Sequence, residues 1–270
     1  MDNQNEFKFV SSQSEMRNRD QILRSVEILI NSYNQGKLGG DVMPEDSNPK
    51  LCKDSKENHH FFTLPMALNY QRNSYTLWEA ATKTYIDEST REVFDPTAVA
   101  SMTVQLLREK LLKHKLALQP NKHIDTWNRI CESLNRYYTG DIRNLFIESE
   151  ADIPEIKKAI QIKYKKGFPY LSGPKIFNYW LYVMGNYTDA NFKHKEELSI
   201  APDTHVIQAS LKLGLIDRNT FDKSGVADVV DKRWRDLLSG TNIAPIDIHT
   251  PLWLWSRGGF HYMDQVIGLK

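Results

Sequence analysis

Apolar residues recur along most of this chain at intervals of three and four, the spacing that turns one face of a helix toward a core. Ile22, Leu23, Val26, Leu29, Ile30 and Tyr33 predict an amphipathic helix over 17–33. Between 60 and 85 two apolar stretches flank a polar tip at 69–74, which predicts helix, short turn, helix. Phe94, Asp95 and Pro96 read as a connector. Helices follow at 102–114, with Val104, Leu107, Leu111 and Leu112 on the apolar face, and at 126–138, with Trp127, Ile130, Cys131, Leu134 and Tyr137. Gly140 and Asp141 break the second, and a short helix is expected at 142–147. Asp152, Pro154 and Glu155 mark another start: a cap, a proline in the first turn and an acid near the positive end. That helix is expected to reach 166 and end at Gly167. Further helices are predicted at 174–185, 203–213, 225–238 and 248–256, with a long loop over 186–202. Alternating β-branched runs are nearly absent, so the fold class is all-α. Residues 1–16 are polar and expected to be loosely packed. The stretch 36–58, rich in Gly, Pro, Asp, Asn and Lys, reads as an irregular connection, mobile or functional.

Length and charge narrow the classes. A chain of 270 residues can bury a sizeable core in one large domain or two small ones. The net charge of +1 excludes a globally basic nucleic-acid binder, so such a partner requires a local patch. Lys157, Lys158, Lys163, Lys165 and Lys166 supply one, although the usual fate of such a run is a solvated helix face. Cys52 and Cys131 lie far apart in no metal-binding spacing, which argues against a disulfide framework, a zinc ribbon or a four-cysteine cluster. His59 and His60 have no ligand partners at metal spacing and read as structural, so no metal is expected. No run of about eighteen apolar residues occurs, so no membrane span is expected. The first residues lack the basic start and apolar core of a signal peptide. A cytoplasmic protein that is not secreted is the expectation.

Two residues carry candidate chemistry. Ser172, Gly173, Pro174 and Lys175 stand where a turn becomes a helix, and Asp203 stands before another. A helix start offers unpaired amides and partial positive charge, which suits a phosphate and favours an amine in its neutral, nucleophilic form. Gly173 reads as the residue that allows unusual dihedrals and close approach of a phosphate. Taken singly, the commonest role of Lys175 is a solvated lysine, and that of Asp203 is a helix N-cap. Together they suggest imine chemistry with a carboxylate partner. Near the end, Trp253, Trp255, Phe260 and Tyr262 read first as core, with one or two placed to stack on a base.

The order of these pieces is more specific than any one of them. From about His60 to Phe260 the chain resembles the helix-hairpin-helix DNA glycosylase superfamily. Pro169-Tyr170-Leu171-Ser172-Gly173-Pro174-Lys175 stands where that family reads Leu-Pro-Gly-Val-Gly-x-Lys, with only the second glycine kept. Pro202-Asp203-Thr204-His205-Val206 matches its Val-Asp-Thr-His-Val segment. Lys175-Ile176-Phe177-Asn178-Tyr179 and the tail 246–254 resemble the archaeal 8-oxoguanine glycosylase/lyase branch, with His249 in place of an aspartate that contacts the base there and Asp247 nearby.

The resemblance implies two helical subdomains with the active site in the cleft between them. It places a helix and loop over 1–58 and the glycosylase domain over 59–270, with the hairpin at about 152–186 and the N- and C-terminal segments free to pack together. It makes Lys175 the nucleophile and Asp203 the catalytic carboxylate. Gln71, with Arg72 or Asn73, becomes the wedge that enters the duplex. Ser172, Gly173, Lys175 and His205 become DNA contacts, and Asp247, His249 and Trp253 the base pocket. It implies a monomer acting on double-stranded DNA that carries a damaged, modified or abasic nucleotide. No cofactor is required, and the hairpin has room for a structural monovalent cation. The substrate reads as 8-oxoguanine or a related base. The change at His249 and the insertion at 36–58 favour an alternative, a phage-defence enzyme excising a bulky modified cytosine such as glucosylated hydroxymethylcytosine. A non-catalytic lesion-binding module and an enzyme of free nucleosides are readings from other classes.

Overall fold

The structure is a computed structural model and describes residues 16–38 and 43–260. The expectations for 1–15 and Tyr262, and residues 39–42 of the connection, lie outside them. The chain is predominantly helical, with no strand among the described residues; Asp152 and Lys193 form one isolated bridge. In chain order the helices are α1 (Arg19–Asn34), α2 (Lys56–Thr63), α3 (Ser74–Ile86), α4 (Pro96–Ala100), α5 (Val104–Lys113), α6 (Lys122–Tyr138) and α7 (Ile142–Glu148). Then follow α8 (Ile153–Lys157), α9 (Pro174–Tyr187), α10 (Thr204–Lys212), α11 (Arg218–Phe221), α12 (Val226–Leu238) and α13 (His249–Arg257). None of the described helices is long and apolar enough to cross a membrane.

The chain divides into two compact units. One is contiguous, Asp41–Ala201; the other joins the residues before 41 to those from Pro202 onward. The contiguous unit is built on aromatic packing. Phe61 and Phe62 of α2 meet edge to face at 5.2 Å, Phe61 stacks on Phe94 at 5.6 Å, and Trp127 of α6 meets Phe94 edge-on at 5.5 Å. Each deeply buried indole finds an acceptor, as the cost of burying an unpaired N–H requires. Trp127 Nε1 donates to Val93 O (2.9 Å), Trp180 Nε1 to Thr63 Oγ1 (3.1 Å) and Trp78 Nε1 to Glu45 Oε1 (2.9 Å). His60 is structural: buried, its Nδ1 lies 3.0 Å from Phe94 O and its Nε2 accepts from Ile142 N–H at 3.4 Å. Burial holds its pKa down to about 4.

In the discontinuous unit, Ile22, Val26 and Leu29 of α1 pack against α12 and α13. Arg19 ties α1 to the end of α12 by donating to Leu237 O (3.2 Å) and Ser239 O (3.0 Å), the exposed carbonyls of a helix terminus. Trp234 Nε1 donates to Ser210 Oγ at 2.9 Å and joins α12 to α10.

Several local expectations change. Phe94–Pro96 is not a plain connector. Asp95 accepts from Thr97 N–H (3.0 Å), and Pro96 opens α4 at its first position. Val104 is 56 % exposed rather than core, because it lies in the first turn of α5, before the stripe of Leu107 and Leu111 meets its neighbours. The helix expected over 153–166 is α8, a π-helical turn (Lys158–Lys163) and a 3-10 turn (Lys165–Gly167). Asp152 does not cap it; its Oδ2 pairs with His194 Nδ1 at 3.1 Å. Gly167 does not end it in the left-handed region either. What Gly167 provides is space: a Cβ there would lie 2.1 Å from Ser133 Oγ of α6. The short α11 has no apolar repeat to announce it.

Candidate active site

Lys175 is the second residue of α9, exposed, after Pro174 at the first position. Pro174 has no N–H and Gly173 gives no side-chain cap, which leaves the amides of Lys175 and Ile176 for an outside acceptor. The turn before them uses its own amides. Leu171 N–H donates to Pro169 O (2.7 Å), Ser172 N–H to Phe168 O (2.9 Å) and Gly173 N–H to Tyr170 O (2.9 Å). The Gly173 amide is therefore spent inside the turn. Gly173 is also ordinary in conformation (φ −71°); the left-handed residue is Tyr170 (φ 60°). Gly173 is favoured because a Cβ would come within 3.0 Å of Tyr170 O. Ser172 is buried, with its Oγ 3.5 Å from Lys165 O.

Asn178, one turn into α9, is a residue that the candidate set lacks. Its Nδ2 donates to Pro174 O (2.6 Å) and its Oδ1 accepts from Ser199 N–H (2.9 Å), which pins the loop before residue 202 to the first turn of α9. Its place four residues after Pro174 is a signal available in the sequence.

The turn at 69–73 belongs to the same unit. Gln71 is exposed at its tip with φ 50°, and among the described residues its side chain makes no hydrogen bond. Arg72 and Asn73 are occupied differently. The Arg72 guanidinium donates to Leu116 O (2.8 Å) and Lys115 O (3.4 Å) after the end of α5. Asn73 Oδ1 caps α3 by accepting from Tyr75 and Thr76 N–H. Gln71 alone of the three is placed to project. The turn and the hairpin meet through Tyr70 and Tyr170, whose rings stack with centroids 3.9 Å apart and planes 9° apart.

The arm before the hairpin is basic. Lys157, Lys158, Lys163, Lys165 and Lys166 are all exposed. Lys158 reaches Glu155 at 3.4 Å and Lys163 lies 4.7 Å over the Tyr164 ring. Among the described residues Lys157, Lys165 and Lys166 form no ion pair.

The sequence presents Glu45 only as part of an irregular connection, yet it is 1 % exposed. Its carboxyl accepts from Trp78 Nε1 and bonds the hydroxyl of Tyr179, one turn after Lys175 on α9. Burial pushes its pKa up to about 7. A buried acid so perturbed is a frequent companion of functional sites. Nothing in the polar composition of 36–58 distinguishes it from its neighbours.

The other candidates lie in the discontinuous unit. Asp203 caps α10, its Oδ1 accepting from Val206 N–H at 2.9 Å; its carboxylate accepts no further hydrogen bond among the described residues. His205 Nδ1 lies 3.2 Å from Ser256 Oγ, which donates to Gln208 Oε1 (3.1 Å). The His205 ring meets Trp253 edge-on at 5.6 Å, and the Arg257 guanidinium lies 4.8 Å from the centre of the same indole. Trp253 is half-buried, a cationic and aromatic surface suited to a stacked base. His249 is buried at 7 % exposure, whereas Asp247 is exposed and accepts from Ala244 N–H (3.2 Å) to close the Pro245–Ile248 turn. Lys175 and Asp203 thus belong to different units, each positioned by its own helix start. Compared with known proteins, the chain matches no protein-family model and no curated protein.

Proposed function

We propose that this chain is a DNA glycosylase with abasic-site lyase activity, built on a helix-hairpin-helix of which α9 is the second arm. The observation that carries the reading is the contiguous unit. It sets a left-handed turn tipped by Gln71 directly against the turn that delivers Lys175, beside a basic arm. A base within a duplex is out of reach until it is flipped, and a side chain that fills the gap lowers the cost. Gln71 takes that role. The free amides of Lys175 and Ile176, with Lys157, Lys165 and Lys166, hold the backbone phosphates. A structural monovalent cation would share the turn carbonyls of Pro169 and Tyr170, which already accept from Leu171 and Gly173.

In the chemical step the Lys175 amine attacks the sugar C1′. The N-glycosidic bond breaks with its electron pair on the departing base, which takes up a proton. The attacking nitrogen gives up a proton, and ring opening leaves an iminium between Lys175 and the sugar. Loss of a C2′ proton then expels the 3′ phosphate. Asp203, as a carboxylate, stabilises the positive charge that builds on the sugar. Trp253 and His205 face the extruded base. Its class is oxidised guanine or a bulky modified cytosine.

Borohydride trapping on a duplex with one abasic site tests the chemistry. The native protein is expected to form a covalent adduct that disappears in Lys175→Ala. An adduct undiminished in that variant, or none with the native protein, overturns the assignment. Release of free base from duplexes carrying 8-oxoguanine or glucosylated hydroxymethylcytosine reads the class.

A further inference from the structure

A pair of tyrosines lies between the Gln71 turn and the Lys175 hairpin. Tyr70 and Tyr170 lie nearly parallel at 3.9 Å. Lys122 Nζ stands 5.2 Å from one ring centre and 5.1 Å from the other, beside the shared edge of the stack and next to the Tyr170 hydroxyl. The His123 ring meets Tyr70 edge-on at 5.5 Å and 72°, and is itself fixed where its Nδ1 accepts from Leu118 N–H (3.1 Å). Each tyrosine sits at a strained point: Tyr170 is itself left-handed, and Tyr70 immediately precedes the left-handed Gln71. Bulky residues rarely adopt such angles unless surrounding contacts impose them. Arg72 and Asn73 anchor the far side of the Gln71 turn to α5 and α3. Within the turn, Asn69 Oδ1 accepts from Ser74 Oγ at 2.8 Å, and the Tyr70 ring is what ties it to the hairpin.

We propose that Tyr70 and Tyr170 are positioning residues whose stack, backed by Lys122, locks the duplex-opening turn to the hairpin that carries the nucleophile. The inference rests on the glycosylase reading above. A wedge on a loose turn spends binding energy on its own ordering. Locked to the hairpin, Gln71 enters the duplex at a fixed offset from the phosphates that the hairpin holds, so gripping and opening become one event. The stack then matters where the sugar must be turned out of a stacked duplex and not where it lies free in a single strand.

The experiment compares borohydride trapping on duplex and single-stranded abasic oligonucleotides for the native protein, Tyr70→Ala, Tyr170→Ala, the double variant and Tyr170→Phe. A stacked aromatic pair shifts an equilibrium by roughly twofold to tenfold. A loss of that size is expected on duplex for each alanine variant, with single-strand trapping within about twofold of native. The double variant should be no worse than either single, and Tyr170→Phe, which keeps the ring stack and loses only the hydroxyl beside Lys122, should lose less on duplex than Tyr170→Ala. Equal losses on both substrates, or none, would overturn the proposal. Amide hydrogen exchange over residues 68–74 without DNA reads the same link with no chemistry: it should rise in Tyr170→Ala, and an unchanged rate would refute the link even if trapping failed. A native protein that traps neither substrate instead removes the glycosylase reading.

Discussion

Glu45→Gln isolates the energetic effect of one buried acid. The carboxyl of Glu45 accepts from Trp78 Nε1 inside the contiguous unit, and burial raises its pKa from 4.5 to about 7. Because the folded value lies above the unfolded one, the folded state keeps the proton longer. The stability this group contributes is complete below pH 4.5 and is lost as pH climbs toward 7; above that both states are ionised and the loss stops. Two and a half pH decades at about 1.4 kcal/mol each amount to about 3 kcal/mol. Glutamine keeps an acceptor for the indole N–H and a partner for Tyr179 but cannot ionise. The stability of the native protein minus that of Glu45→Gln should therefore fall by about 3 kcal/mol between about pH 4.5 and 8. Urea unfolding of both proteins across that range measures the difference. Burial-depressed His60 destabilises in the opposite direction as pH falls, but it is common to both and cancels. A constant gap across the range would show that Glu45 is ionised in the fold and refute the reasoning.

Two further outcomes follow from the hairpin. Gly167→Ala should destabilise by about 1–3 kcal/mol, since its Cβ would sit 2.1 Å from Ser133 Oγ, and Ser133→Gly should recover part of that loss in thermal melts. Replacing Lys157, Lys165 and Lys166 with alanine should flatten the salt dependence of DNA binding, by up to roughly 0.9 in logarithmic slope for each phosphate that is no longer neutralised. An unchanged slope places the backbone contacts elsewhere.

The helical periodicity of the sequence carries the principal helices, and Asp203 has the capping role expected of an aspartate at a helix start. Short-range chemistry of this kind is legible because cap and capped amide are neighbours in the chain. Arg72 cannot be read the same way. A basic residue at a polar tip looks free, and only the fold brings Leu116 O within its reach. The hairpin misleads for a related reason. Gly173 draws attention because glycine permits unusual angles, but Tyr170 carries them, and the stack with a tyrosine about a hundred residues earlier supports that choice. Glu45 is illegible for the opposite reason: its neighbours are polar, and its burial is imposed by α3 and α9.

The split of one unit around the other also sets a timetable for synthesis. α1 ends at Asn34, but α12, on which it packs, begins at Val226. At about 5–20 residues per second, roughly 10–40 s separate the two on the ribosome. The segment Asp41–Ala201 is complete in that interval and can close its aromatic core on its own. Ile22, Val26 and Leu29 must wait with their apolar face uncovered until α12 emerges, open in that interval to a chaperone.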